Sequence, residues 1–315
     1  MSTLYLDRQD MVVSLEGRHL RLRVPPGGSS TVPLAGFQRL IVLGKVGLDS
    51  SVLGAMAEAG IAVTLIGGRS LRRRALLLGA GGQDASRRLN QYRASTDSQA
   101  RIFIARGLLL GKLTAQAQGV GDMLATRPDQ RLSLRKRQAS IQRIAQSLDK
   151  TQAAGLLGLE GAAARAWYEA LAALLPENLA FSGRNRRPPR DPFNSVLSLA
   201  YTLIHADAVA IAWSVGLDPM IGFLHEPLHG RESLACDLIE PLRPRIDLAL
   251  WRVMAERQLQ PEHFSTGSNG CYLTKTGRSH FYPLWETLAP PWRRYLRRLC
   301  HGLVRRLGGH EAPAP

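Results

Sequence analysis

The stretch Gly222–Arg245 reads GFLHEPLHGRESLACDLIEPLRPR. It sets two histidines, four carboxylates and the guanidinium groups of Arg231, Arg243 and Arg245 among short apolar runs. Gly230 permits a turn after His225 and His229. Ser233 is placed to cap a helix whose first turns run to Glu240. Spaced three apart, Asp237 and Glu240 share one helical face, while Leu234, Leu238 and Ile239 anchor the other. Two acids on a helix, with an imidazole on the preceding loop, can hold a divalent metal. His225 and His229 do not form a helical HxxxH pair, because Pro227 and Gly230 break the helix between and after them.

A hard ion needs a further oxygen ligand. The upstream candidate is Glu160, in LLGLEGAAARAWYEAL (156–171), an acid flanked by Leu159 and Gly161. Its plain alternative is an acid in a helix's first turn, facing the macrodipole.

Working outward, the chain from about Arg87 to Leu307 has helical periodicity. Residues 98–117 form one long amphipathic segment and residues 131–148 another. The second carries Leu132, Leu134, Ile141, Ile144 and Leu148 on its apolar side, with Arg131, Arg135, Lys136, Arg137 and Arg143 around them. Residues 195–224 are the most apolar, but His205, Asp207 and Asp218 interrupt them. The unbroken piece is too short to span a bilayer, so it reads as a core helix. The segment 182–191, SGRNRRPPRD, is a loop in which Arg184, Arg186, Arg187 and Arg190 are candidate phosphate contacts. Asp191 reads as the N-cap of the next helix. The segment 291–307 alternates an apolar stripe (Trp292, Leu296, Leu299, Leu303) with an arginine stripe.

Toward the N-terminus the period changes to strands: residues 4–6, 11–15, 19–24, 39–43, 61–66 and 70–78. Pro25-Pro26-Gly27-Gly28 breaks the run, and Asp49 or Ser50 caps one short helix closed by Gly60. Gly79-Ala-Gly-Gly82 reads as a linker and lacks the Lys-Ser/Thr pair of a phosphate-binding loop. The expected organisation is α+β. A small β-rich N-terminal domain (1–82) precedes a larger all-α catalytic domain (83–307), with a disordered tail (308–315).

Lys and Arg number 41 against 25 Asp and Glu, a net charge of +16 over 315 residues. That balance points to a polyanionic partner. Cys236, Cys271 and Cys300 are far apart and form no CxxC, which argues against structural zinc and fits a reducing, cytoplasmic setting. The N-terminus has no apolar signal region, and no membrane association is expected.

Four blocks occur in order: LEGAAARAWYEAL, RRPPRDPFNSVLSLAYTLI, GLDPMIGFLH and GRESLACDLIEPLRP. Together they resemble the CRISPR-associated integrase of the spacer-acquisition module, the metal-dependent Cas endonuclease family. The resemblance implies a β-sandwich-like N-terminal domain used for dimerisation. It assigns Glu160, His225 and Glu240 as ligands of Mn²⁺ or Mg²⁺, and Asp237 as a further acid of the catalytic site. Some relatives carry aspartate in place of Glu240, which changes reach by one methylene. Asn194 resembles a supporting residue rather than a ligand. The implied reaction is attack by a DNA 3′-hydroxyl on a repeat-boundary phosphodiester, inserting foreign DNA into a CRISPR array. The implied partners are DNA, a second copy of the chain and the small second adaptation protein. Arg231 and Arg243, close to the ligands, are further candidate DNA contacts. The rival reading is a non-catalytic, architectural DNA-binding subunit, for which charge speaks equally but retained ligand positions do not.

Overall fold

The computed structural model describes residues 3–67, 72–176, 179–185 and 188–308. Arg186, Arg187 and the tail beyond Gly308 fall outside the described residues. Gly308 itself closes the last helix.

Among the described residues, eight strands form the N-terminal part: β1 (Thr3–Leu6), β2 (Met11–Glu16), β3 (His19–Val24), β4 (Gly28–Pro33), β5 (Arg39–Leu43), β6 (Val46–Leu48), β7 (Ala62–Gly67) and β8 (Arg72–Leu77). They pair into two four-stranded sheets, ordered β1-β5-β7-β8 and β4-β3-β2-β6. Helix α1 (Ser50–Glu58) starts where Asp49 accepts the Val52 amide at 3.0 Å. Gly60 closes it with φ +66°, a conformation that costs glycine little. Strands β4 and β6 escape the sequence reading. GSSTVP has no apolar alternation, and VGL is three residues long; each is held by its neighbour, β3 or β2.

Strand β5 explains how the two halves join. Successive strand side chains point to opposite faces. Leu40 and Val42 enter the N-terminal core with Leu6, Val13, Leu20, Met56 and Val63. Ile41 and Leu43 enter the helical core instead. The strand is therefore buried on both faces, which is why RLIVL reads as a continuous apolar run. The linker is equally committed. Trp213 Nε1 donates to Gly79 O at 3.1 Å, and Gly82 N donates to Trp213 O at 3.1 Å. A Cβ on Gly82 would stand 2.5 Å from Gly216 N, so only glycine allows this approach.

The helical part comprises α2 (Ala85–Thr96), α3 (Ser98–Thr126), α4 (Arg131–Ser147), α5 (Ala153–Ala172), α6 (Pro192–Ser214), α7 (Ser233–Ile239), α8 (Arg243–Ala255), α9 (Lys275–Leu288) and α10 (Pro290–Gly308). One hairpin, β9 (Phe264–Gly267) with β10 (Gly270–Leu273), interrupts it, an addition to the expected all-α domain. Helix α3 runs past residue 117 because nothing stops it before Arg127. Its Gly119 lies against Trp167 and Leu248, where a Cβ would come within 2.7–2.9 Å, so α3 packs closely on α5 and α8. Helix α6 is long and apolar enough to cross a membrane, but 78% of that window is buried inside the protein. Asp191 caps it, accepting the Asn194 amide at 2.8 Å.

Candidate metal centre

The candidate site draws on five elements of this helical part. Glu160 stands two turns into α5, too far along for the macrodipole reading. Glu240 opens a single 3-10 turn, Glu240–Leu242, that follows α7; Pro241 lacks the amide that would continue the α-helix. His225 lies on the loop between α6 and α7, and Asp237 lies on α7. The fifth element is α3, whose part in the site sequence reasoning missed. Its Lys112 bridges the two glutamates, with Nζ donating to Glu160 Oε1 and, at 2.5 Å, to Glu240 Oε2. Lys112 and Glu240 are each only 4% exposed. In GLLLGKLTAQ a lone lysine reads as a snorkelling chain, so nothing local marked it.

Asp237 has a different task from its neighbour. Fully buried, it accepts the amides of Phe223, Leu224 and His225 at 2.6, 2.9 and 3.0 Å. Its Oδ1 also lies 2.7 Å from His225 Nδ1. A carboxylate so placed fixes the imidazole tautomer with the proton on Nδ1 and keeps Nε2 as an acceptor. Gly222 makes this possible, since a Cβ there would stand 2.8 Å from Asp237 Oδ2. Asp237 thus orients the histidine rather than facing the pair of glutamates. Ser233, expected as an N-cap, instead spends its hydroxyl on Glu226 O at 2.9 Å, and α7 has no side-chain cap. Arg101 holds the same loop through Phe223 O and the Glu226 carboxylate.

Burial alone would raise the Glu240 carboxyl, but Arg243 and then Lys112 overcome it and hold it well below the usual carboxylate range. Arg243 Nε donates to Glu240 Oε1 at 2.7 Å, and its guanidinium lies 4.5 Å over the Tyr201 ring. Behind them Asp247 accepts from Trp167 Nε1 at 2.8 Å and from the Tyr201 hydroxyl, tying α5, α6 and α8 together.

The arginine expectations divide. Arg243 is committed to Glu240, and Arg184 to Asn194 Oδ1, Ser198 Oγ and Asn185 O. Each braces an acceptor inside the protein, Arg243 the Glu240 carboxylate and Arg184 the Asn194 side chain. Arg231 donates to Glu226 O and to Ser233 Oγ, so it too braces the loop, while Arg190 is exposed.

Among the described residues, no group of three His, Cys, Asp or Glu is close enough to hold a metal ion. The donor chemistry nevertheless fits one. Two carboxylates from distant elements already share a single positive charge, and the His225 imidazole has its Nδ1 held by a carboxylate, the support usual for metal-bound histidine.

The profile described as CRISPR associated protein Cas1 matches residues 4–287. A CRISPR-associated endonuclease Cas1 from Thermodesulfovibrio yellowstonii is 33% identical over 98% of this chain and 97% of its own length. Among solved structures, a casposase bound to an integration product superposes with a TM-score of 0.84 at 22% identity, covering 97% of this chain and 91% of that one. A Cas6-RT-Cas1–Cas2 complex also matches with a TM-score of 0.84, at 20% identity, over 98% of this chain and 35% of that one. The fold, the match along nearly the whole sequence and the kinship with a curated endonuclease together make this chain a member of the Cas1 family.

Proposed function

We propose that the chain is a divalent-metal-dependent DNA integrase and endonuclease whose ligands are Glu160, His225 and Glu240. The observation that carries this reading is the meeting of Glu160 and Glu240, from α5 and the turn after α7, around one cation in a protein of net charge +16. Bound there, Mn²⁺ or Mg²⁺ supplies charge for the scissile phosphate and lowers the pKa of the attacking hydroxyl. Asp237 keeps the His225 proton on Nδ1. Arg243 keeps Glu240 ionised, so that an oxygen donor is ready at neutral pH. Arg190 and the basic exterior attract the DNA backbone.

With a DNA 3′-hydroxyl as nucleophile, the reaction is strand transfer into the repeat; with water it is hydrolysis. The proposed partners are foreign and repeat DNA, a second copy of the chain docking through the β-rich part, and the small second adaptation protein. A relative solved within a Cas1–Cas2 complex supports the last of these. A plasmid-integration assay tests the reading. Glu160→Ala and His225→Ala should each lower strand transfer by on the order of 10³-fold while DNA binding persists. Wild-type activity that survives thorough chelation would remove it in favour of metal-free chemistry, and inactive wild type that binds DNA would favour the architectural role.

A further inference from the structure

We infer that Lys112 is an internal counter-cation that holds Glu160 and Glu240 together in the metal-free protein and moves to Gln116 when a metal enters. This rests on the metal reading above.

Three observations carry it. The first is the bridge itself. Two carboxylates brought close together repel unless a cation lies between them. Lys112 supplies that charge from α3, bonded to both. The second is charge balance. Glu160 and Glu240 carry two negative charges, and Lys112 with Arg243 carries two positive ones, so the cluster is neutral as it stands. A divalent ion added beside an unmoved Lys112 would leave two excess positive charges in a weakly screened place. One cation must withdraw. Arg243 is held by its Nε bond to Glu240 and by the Tyr201 ring, whereas Lys112 is a point charge on a flexible stem.

The third observation is a destination. Gln116 lies one helical turn along α3 from Lys112, on the same buried side, and is 1% exposed. Its Oε1 is buried and accepts no hydrogen bond among the described residues. A buried carbonyl left unpaired is costly. The oxygen is a neutral acceptor within the sweep of a four-carbon stem, where an ammonium displaced from the glutamates can be received. Lys112 is thus a positioning residue. It keeps the ligand pair preassembled and sets a threshold for metal entry.

The test uses full-length, metal-stripped protein without DNA. Free Mn²⁺ is followed by electron paramagnetic resonance during titration. Lys112→Met should tighten Mn²⁺ binding about tenfold, because the competing cation is gone, and should lower the thermal midpoint of the metal-free protein. Lys112→Gln, which keeps donors between the carboxylates, should tighten binding in the same direction and carries the test if the methionine variant does not fold. Gln116→Met should weaken Mn²⁺ binding severalfold in the wild-type background. It should have no effect in the Lys112→Gln background, because the coupling between contacting residues is what a double-mutant cycle isolates. A Gln116 effect that persists without Lys112 would mean mere packing and overturn the destination. Unchanged or weakened Mn²⁺ binding in both Lys112 variants would overturn the inference while leaving the metal reading intact. A wild type that binds no Mn²⁺ would overturn both.

Discussion

Two of the buried charge clusters among the described residues differ in the kind of cation that closes them. At the junction of the sheets and helices, Arg293 bonds Asp207 at 2.7 Å and both oxygens of Glu286 at 2.8 and 2.9 Å. Arg39 from β5 approaches the same two acids at 3.5 and 3.9 Å, and the Tyr5 hydroxyl donates to Glu286 at 2.7 Å. At the candidate metal centre the corresponding place is filled by a lysine. A guanidinium matches a carboxylate with two parallel bonds and stays charged. An ammonium offers a single movable charge. The first cluster welds β1 and β5 to α6, α9 and α10; the second gathers the two glutamates proposed as metal ligands.

Breaking the weld should give the larger stability effect. Arg293→Met leaves Asp207 and Glu286 buried with too little positive charge. Removing one partner of such a group costs about 3–5 kcal/mol. Urea unfolding should report that loss equally with and without Mn²⁺, because the acids of this junction are already matched by Arg293 and Arg39. A loss below about 1 kcal/mol would mean that Arg39 alone suffices and that the two clusters are less different than they look.

Asp237→Asn probes the support of the metal centre. Asparagine keeps the shape but offers one acceptor oxygen, where the aspartate serves three amides and an imidazole. The His225 tautomer is then no longer fixed. Mn²⁺ affinity should fall about 10–100-fold, the usual cost of losing a partner behind a metal-bound histidine. Unchanged affinity, with only a lower thermal midpoint, would show that Asp237 holds the loop and nothing more.

The difference between the clusters also explains what could be read from the residues alone. Strand β5 and helix α6 were visible because burial on both sides leaves an unbroken apolar run. Asp191, Asp49 and Gly60 were visible because caps and left-handed positions demand particular residue types. His225 and Glu240 stood out as polar groups in apolar company. Lys112, Arg39 and Gln91 did not, because what matters in each is a partner more than a hundred residues away, as when Gln91 Nε2 donates to Ile221 O at 2.7 Å. Arg184 and Arg243 show the converse: both make internal hydrogen bonds that their local sequence does not announce. An arginine facing inward to a brace and one facing outward to phosphate have the same local sequence.

Between the clusters, on α6, His205 sits two residues before Asp207 and touches the segment leading into α7. Its ring nitrogens lie 3.7 Å from Glu232 Oε2 and 3.7 Å from Cys236 Sγ. Burial brings its pKa down to about 4; Glu232 pulls it up, and Arg73 and Arg243 push it down again. Unfolded, the imidazole titrates near 6.5. The unfolded state therefore takes up its proton first, and the contribution of His205 to stability is complete above about 6.5 and lost as pH falls toward 4. Asp247 works in the opposite sense. Burial raises its carboxyl to about 6 against the pull of Tyr201 and Trp167. Its contribution is complete below about 3.9 and lost as pH rises through 6. In metal-free protein the stability of wild type minus that of His205→Gln should therefore grow by about 1–3 kcal/mol from pH 4 to 6.5. The same difference for Asp247→Asn should shrink over that window. Two flat curves, measured by urea unfolding in small pH steps, would mean that neither group is sealed from water. The helix linking the welded cluster to the exchangeable one would then be wet, and the two would share one solvent-exposed site.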